Sequence, residues 1–269
     1  MILNETFTMS NGVTIPKLGL GTWFIDDDKV AQAVRNAVKI GYRNIDTAQA
    51  YGNERGVGEG VRTSGIPREE LFVSTKLAAE IKDYDTAVGA IEGSLEKLDL
   101  GYIDLMLIHA PQPWAEFRQA DYSEGNRQAW RALEEAYRAG KIRSIGVSNF
   151  LDEDVENILE HGTVAPQANQ IKVTPGNTPT DLIEYCQAKN ILVESYSPLS
   201  HGKILDNPRV MAIAQKYRVS VAQLCIRYTL QLNTVSLPKA SSPEHQRTNA
   251  DVDFVISDDD MMGLQDLGD

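Results

Sequence analysis

The stretch LFVSTKLAAEIKDYDTAVGAIEGSLEKLDLGYIDLMLIH, residues 71–109, contains one complete structural unit and the start of the next. It opens and closes on short apolar runs, LFVSTK (71–76) and YIDLMLIH (102–109), of strand length. Between them Val88, Ile91, Leu95 and Leu98 fall on one face of a helical period. The same alternation extends in both directions. Upstream lie KLGLGTW (17–23), a helix over 27–41 with Val30, Val34 and Val38 in line and Gly41 as its stop, RNIDT (43–47), and a helix from about Glu54. Downstream come a helix carrying Trp130, Leu133 and Tyr137, then SIGVSN (144–149), a helix near 152–161 and QANQIK (167–172). A helix near 180–189, LVESYSPL (192–199) and a helix near 208–217 continue the series. An additional helix near 220–231 precedes TVSLPK (234–239), and the last helix starts near Pro243.

Eight strand–helix steps at spacings of roughly 25–40 residues imply an α/β protein whose parallel strands close into a (β/α)8 TIM barrel. A hairpin, FTMSNGVTI (7–15) with its tight turn at Asn11-Gly12, precedes them and is expected to cap the bottom of the barrel. The competing architecture is an open doubly wound sheet in two domains. No linker, low-complexity segment or composition break divides the chain, so one domain over residues 1–269 is expected. An open dinucleotide-binding sheet also calls for G-x-G-x-x-G between a first strand and a helix. The glycine cluster GVGEG (56–60) follows no apolar strand and falls where a helix begins, so it reads as helix-packing or loop residues.

Composition narrows the function class. The 269 residues are 42% hydrophobic and 24% charged, ordinary for a globular protein with a substantial core. A net charge of −12 and a pI near 4.8 argue against binding nucleic acid through its phosphates and suit a dispersed soluble protein. Cys186 and Cys225 form neither a disulfide framework nor a metal-site pattern. With no signal peptide or membrane-length apolar run, a cytoplasmic monomer acting on a small molecule is expected, with no metal and no membrane partner.

In a barrel the chemistry sits at the carboxyl ends of the strands. Asp46 ends the second run, Lys76 the third and His109 the fourth, while Tyr51 lies in the loop after the second. Singly, each has an ordinary explanation: a cap, a snorkelling lysine, a core histidine. On three successive strand ends facing one cavity they make a chemical set. A tyrosine of ordinary pKa about 10 holds its proton at neutral pH and can donate it. A nearby ammonium favours phenolate, which is expected to lower that pKa toward a useful range. Lys76 needs a counter-ion to stay charged inside a barrel, and Asp46 supplies one. His109 can orient and polarise a carbonyl. Such a set suits carbonyl reduction with hydride arriving from elsewhere.

With these residues in place, the chain resembles the aldo-keto reductase superfamily over essentially its whole length. GYRNIDTAQAYGNE (41–54), LFVSTK, IDLMLIH, IRSIGVSNF (142–150), QANQIK, YSPL and LPKASSPEHQRTN (237–249) occur in the family's order. The resemblance implies a barrel reductase using NADPH, with no Rossmann fold; three departures around the 2′-phosphate position weaken selectivity for the phosphate, so NADH is expected to work as well. It makes Asp46, Tyr51, Lys76 and His109 the catalytic tetrad. It assigns Ser148, Asn149 and Gln170 to the nicotinamide carboxamide, Tyr196 to the stacked ring, Ser197 and Leu199 to the pyrophosphate, and Thr22 to a cofactor contact. Lys239 matches the residue that meets the adenosine 2′-phosphate, with Ser241, His245 and Asn249 beside it. Three departures stand here: Ala240 for a common serine, His245 for a common arginine and Thr248 for a common glutamate.

Trp23 matches a substrate-pocket wall. Ala110 replaces a tryptophan that often follows the catalytic histidine, and Trp114 can swing in from the same loop, so a roomier or reshaped pocket tolerant of bulkier carbonyls is expected. The segment PWAEFRQADYSEG (113–125) is long for a connection and is expected at the rim. The tail DVDFVISDDDMMGLQDLGD (251–269) reads as a strand-like piece and a brief helix capped by Ser257. It is short for a closing loop, as in a compact prokaryotic-type member. Two other classes stay open: a Schiff-base lyase using Lys76, and a cofactor-binding regulatory subunit with little turnover.

Overall fold

In a computed structural model of the chain, which describes residues 1–267, the eight apolar runs form one parallel sheet in chain order. A two-stranded antiparallel hairpin, β1 (Thr6–Thr8) and β2 (Thr14–Pro16), comes first. The sheet strands are β3 (Leu20–Gly21), β4 (Asn44–Asp46), β5 (Phe72–Leu77), β6 (Leu105–Ile108), β7 (Ile145–Ser148), β8 (Ala168–Lys172), β9 (Leu192–Tyr196) and β10 (Val235–Leu237). Every residue of β5, β6 and β7 is buried, as expected for strands covered on both faces. The sheet closes on itself: Gly19 N donates to Ser236 O at 2.9 Å and Gly21 N to Pro238 O at 3.0 Å. Closure needs a bare backbone there, since a Cβ on Gly19 would lie 2.6 Å from the Leu237 side chain.

The helices surround the barrel: α1 (Asp27–Ile40), α2 (Glu54–Arg62), α3 (Tyr84–Leu98), α4 (Ser123–Arg138), α5 (Asp152–His161), α6 (Thr180–Ala188), α7 (Pro208–Tyr217), α8 (Val221–Gln231), α9 (Pro243–Ala250) and α10 (Asp258–Gln265). Val30, Val34 and Val38 are buried on the inner face of α1. The GVGEG glycines lie on α2 and are packing residues. A Cβ on Gly58 would meet Leu98 O at 2.0 Å, and one on Gly56 would meet Asp27 O at 2.1 Å. Substitution there would push α2 away from α1 and α3.

The hairpin sits at the amino-terminal ends of the strands. Met9 and Ile15 share a buried cluster with Phe72, Leu105, Ala168 and Val235, which start four strands, and Asn11 Nδ2 donates to Arg143 O at 3.0 Å. Beside it, the buried Asp104 accepts from Arg68 at 2.6 Å, Arg143 at 2.7 Å and Val73 N at 2.9 Å. This end stabilises the barrel and leaves the opposite mouth for chemistry.

Two expectations change. Residues 251–257 form no strand, because a closed barrel has no free edge to pair with. Their backbone is held instead by glutamines of α8: Gln231 Nε2 donates to Ile256 O at 3.0 Å, and Gln223 Nε2 to Asp251 O at 2.6 Å. The rim segment is shorter than 113–125, since α4 begins at Ser123 and Trp114–Glu116 form a turn. Gly268 and Asp269, at the end of the tail, lie outside the described residues.

Candidate active site

Asp46 ends β4, and Lys76 is the fifth residue of β5, so parallel pairing brings their inward side chains together. The Lys76 Nζ donates to both Asp46 carboxylate oxygens at 2.8 Å and to Thr47 O at 2.8 Å. Its remaining neighbour is the Tyr51 hydroxyl at 3.4 Å. Lys76 is wholly buried, so its charge stands on these contacts. Burial works against the ammonium, but the Asp46 carboxylate outweighs it and holds the Lys76 pKa above the ordinary lysine value.

The tuning of Tyr51 differs from the sequence expectation. Burial raises the phenol above its usual range; Lys76 pulls it down, Asp46 pushes it up, and the net direction is upward. Burial is the largest cause, and Lys76, paired with Asp46, offsets only part of it. Lys76 therefore moderates a raised pKa instead of lowering an ordinary one.

His109 follows β6 at the same mouth. Its ring centroid lies 5.8 Å from that of Tyr51 and 5.3 Å from that of Trp114, edge-on to both. Burial, then the Lys76 charge, depress its pKa to about 3, so the imidazole is neutral. Its Nδ1 is buried without a hydrogen-bond partner among the described residues. Trp114 fills the wall beside His109, whereas Ala110 is fully buried and its carbonyl accepts from Lys82 Nζ at 2.8 Å.

On the other side of the mouth, Ser148 Oγ donates to Gln170 O at 2.8 Å and Asn149 Nδ2 to His109 O at 3.0 Å. Asn149 holds a left-handed φ of 59°, which asparagine tolerates better than most residues. Its Oδ1 accepts from the Tyr196 hydroxyl at 2.7 Å. Gln170 Nε2 is shared by two carboxylates, Asp46 Oδ1 at 2.9 Å and Glu194 Oε2 at 3.1 Å. With both amide hydrogens directed inward, the Gln170 carbonyl oxygen is left without a donor among the described residues.

Two hollows meet at this point. A groove of about 450 Å³ is lined by Thr22, Trp23, Tyr51, Tyr196, Ser197, Leu199 and Lys239, together with His201. A cavity of about 410 Å³ is lined by Tyr51, His109, Trp114, Ser148, Asn149, Gln170, Lys172 and Tyr196. Trp23 and His201 border both, with ring centroids 5.0 Å apart. The structure thus gathers Asp46, Tyr51, Lys76 and His109 with Ser148, Asn149, Gln170, Trp23 and Trp114 around one opening. It leaves Ser241 and His245 exposed at the start of α9, and Asn249 buried within that helix, all outside the groove lining.

Sequence reasoning missed Glu194, Lys172 and His201. Glu194 is wholly buried, its Oε1 has no partner among the described residues, and its pKa is pushed up to about 7 by burial and then by Asp46. The signal was available: Glu194 precedes Tyr196 by two residues and so shares its inward face.

Residues 17–269 match the model described as the aldo/keto reductase family. Glyoxal reductase of Bacillus subtilis is 41% identical over 261 residues, 96% of this chain and 91% of that protein. The 9,11-endoperoxide prostaglandin H2 reductase of Trypanosoma cruzi is 39% identical over 265 residues, 97% of this chain and 90% of that one. An aldo/keto reductase crystal structure from Brucella melitensis matches with a TM-score of 0.90 at 36% identity, over 98% of this chain and 99% of that one. A Bombyx mori aldo-keto reductase in complex with NADP gives 0.88 at 35% identity, over 98% and 92%. A buried Asp–Lys pair beside a tyrosine and a neutral histidine, in a chain matched from residue 17 onward, places this protein in the aldo/keto reductase family.

Proposed function

We propose that the protein is an NADPH-dependent carbonyl reductase in which Tyr51 is the general acid. The observation that carries this reading is the Tyr51 hydroxyl 3.4 Å from a lysine fixed by Asp46, on a cavity that His109 also lines. The reading takes the whole chain as one domain, working as a cytoplasmic monomer.

The residues present suit a nicotinamide cofactor. Gln170 offers an unengaged carbonyl oxygen beside the Ser148 hydroxyl and the Asn149 amide, a set matched to a carboxamide. Tyr196 borders both hollows and offers a ring face for stacking. Ser197, Leu199 and Thr22 line the groove toward the phosphates, and Lys239 supplies a cation at its end. Bound there, a reduced nicotinamide would supply hydride to the carbonyl carbon. His109, neutral, orients the carbonyl by hydrogen bonding. Tyr51 gives its proton to the carbonyl oxygen as negative charge gathers there, and Lys76 stabilises the phenolate left behind. Trp23 and Trp114 wall the substrate. A Schiff-base role for Lys76 is disfavoured, because two carboxylate oxygens at 2.8 Å hold its amine protonated.

Near the adenosine end, Lys239 would meet the 2′-phosphate, with Ser241 just before α9 and His245 and Asn249 on it as neighbours. A histidine gives weaker phosphate discrimination than a bidentate guanidinium, so NADH is used as well. A kcat/KM ratio for NADPH over NADH above about a thousand contradicts that part, since it exceeds what one point charge provides.

The test of the acid is Tyr51→Phe, assayed by NADPH oxidation with a reactive aldehyde. Activity should fall by about 10²–10⁴-fold while cofactor affinity, followed by quenching of tryptophan fluorescence, stays within about threefold. Retained turnover would remove Tyr51 from the role.

A further inference from the structure

We infer that Lys172 forms, at the barrel mouth, a subsite for a carboxylate carried by the carbonyl substrate. This rests on the reductase reading above and names its substrate class. Alternation along β8 sets the position. Gln170 points inward to Asp46 and Glu194, Ile171 points outward into the buried core, and Lys172 returns to the inward face. In the register of β8 with β9, Gln170 lies opposite Glu194 and Lys172 opposite Tyr196. Lys172 therefore sits one inward step beyond the carboxamide-binding amide, about 6–7 Å further toward solvent.

The electrostatics of the cavity give that position meaning. The chain has 38 acidic residues and a net charge of −12, yet among the described residues no aspartate or glutamate lines the 410 Å³ cavity. Lys172 is the one lysine or arginine among the described residues that line it. Lys17, Lys76, Lys82 and Lys172 are the lysines withdrawn from full exposure. The first three donate to Glu5, Asp46 and the Ala110 carbonyl, respectively. The Lys172 side chain has neither an ion pair nor a hydrogen bond among the described residues. Lys172 is partly buried and lines the cavity together with Trp23, Trp114, Tyr51 and Tyr196, where a charge is screened less than on an open surface. Lys239 lines the other hollow, so the cofactor phosphates and this subsite do not compete for one cation.

The ligand that fits is an aldehyde or ketone with a carboxylate several bonds from the carbonyl. The carbonyl lies between Tyr51 and His109, and the carboxylate accepts from the Lys172 ammonium. Because the protein's overall field repels anions, such a substrate gains its preference from this local charge and not from steering.

The experiment compares 4-carboxybenzaldehyde with its methyl ester, each assayed by NADPH oxidation, in the unmodified protein, Lys172→Met and Lys172→Arg. The acid should be the better substrate of the unmodified protein. Lys172→Met should cut kcat/KM for the acid by about ten- to a hundredfold, mainly through KM, with the ester shifted less than about threefold. Lys172→Arg should keep most of the acid preference, and about 0.5 M salt should erode it. An equal loss for acid and ester in Lys172→Met would assign the lysine a structural role and overturn the inference. An unmoved acid preference would overturn it too. No turnover of either aldehyde by the unmodified protein would instead overturn the reductase reading, and the ester distinguishes the two failures.

Discussion

Replacing Glu194 by glutamine exchanges one buried oxygen for an amide and keeps an acceptor for Gln170. The carboxyl is fully buried, holds one hydrogen bond, and lies in the field of Asp46. Its pKa rises from 4.5 to about 7, so the folded protein binds this proton more tightly than the unfolded chain does. This fixes the direction of the pH dependence. Below about pH 4.5 both states hold the proton and the contribution to stability is fully present. Between pH 4.5 and 7 only the unfolded state releases it, and stability falls with rising pH. Above pH 7 the folded state ionises as well and the loss levels off. The full span is about 3 kcal/mol, from about 1.36 kcal/mol per pKa unit.

Glutamine at 194 does not titrate, so the stability difference between Glu194→Gln and the unmodified protein should depend on pH. Urea unfolding at about pH 5 and pH 8.5 captures most of the span, and the variant should gain about 2–3 kcal/mol relative to the parent between them. A stability difference that stays constant between the two conditions, whatever its size, would refute the reasoning: Glu194 would then be ionised in both, with Gln170 sufficing as its partner. The same titration bears on function. An ionised Glu194 tightens the Gln170 amide toward the barrel interior, so NADPH affinity in the parent should change between about pH 6 and 8 more than in the variant.

Lys76→Met leaves Asp46 buried without its cation and should cost about 3–5 kcal/mol in urea unfolding. The double variant Asp46→Asn with Lys76→Met should recover part of that stability without recovering NADPH oxidation; recovery of both would show that the pair serves folding alone. At the other end of the groove, His245→Arg should raise the NADPH-over-NADH ratio of kcat/KM by about 5–150-fold, the equivalent of about 1–3 kcal/mol. An unchanged ratio would place residue 245 beyond reach of the 2′-phosphate, in keeping with its position outside the groove lining.

The barrel was legible because its strands are continuous apolar runs and its helices show one apolar stripe, two periods that burial on both faces and on one face impose. Asp46, Lys76 and His109 were legible for a related reason: a polar residue at the end of such a run has only the mouth to face. What escaped was anything decided by competition between neighbours. The direction of the Tyr51 shift depends on whether burial outweighs a Lys76 charge already paired with Asp46, which spacing does not reveal. The strand-like tail failed because period-two apolar spacing at Val252 and Ile256 is equally served by packing on α8. Glu194 and Lys172 were visible in principle, as polar residues in phase with Tyr196 and Gln170. Their significance depended on the register between β8 and β9, which sequence alone leaves open.

Two side chains beside the reacting carbonyl hold exchangeable protons, and the barrel sets their acidities in opposite directions. Burial and the Lys76 charge depress His109 to about 3, so an imidazolium is absent at neutral pH and His109 cannot be the acid. Burial raises Tyr51, so its phenol stays protonated over the same range. The oxygen of a carbonyl receiving hydride becomes an alkoxide, a much stronger base than a phenolate, and transfer from Tyr51 is favourable even from a raised pKa. Oxidising an alcohol requires Tyr51 as phenolate, which burial disfavours and Lys76, already paired with Asp46, only partly restores. At neutral pH the proposed acid is therefore the tyrosine, whose phenol is protonated, and not the histidine.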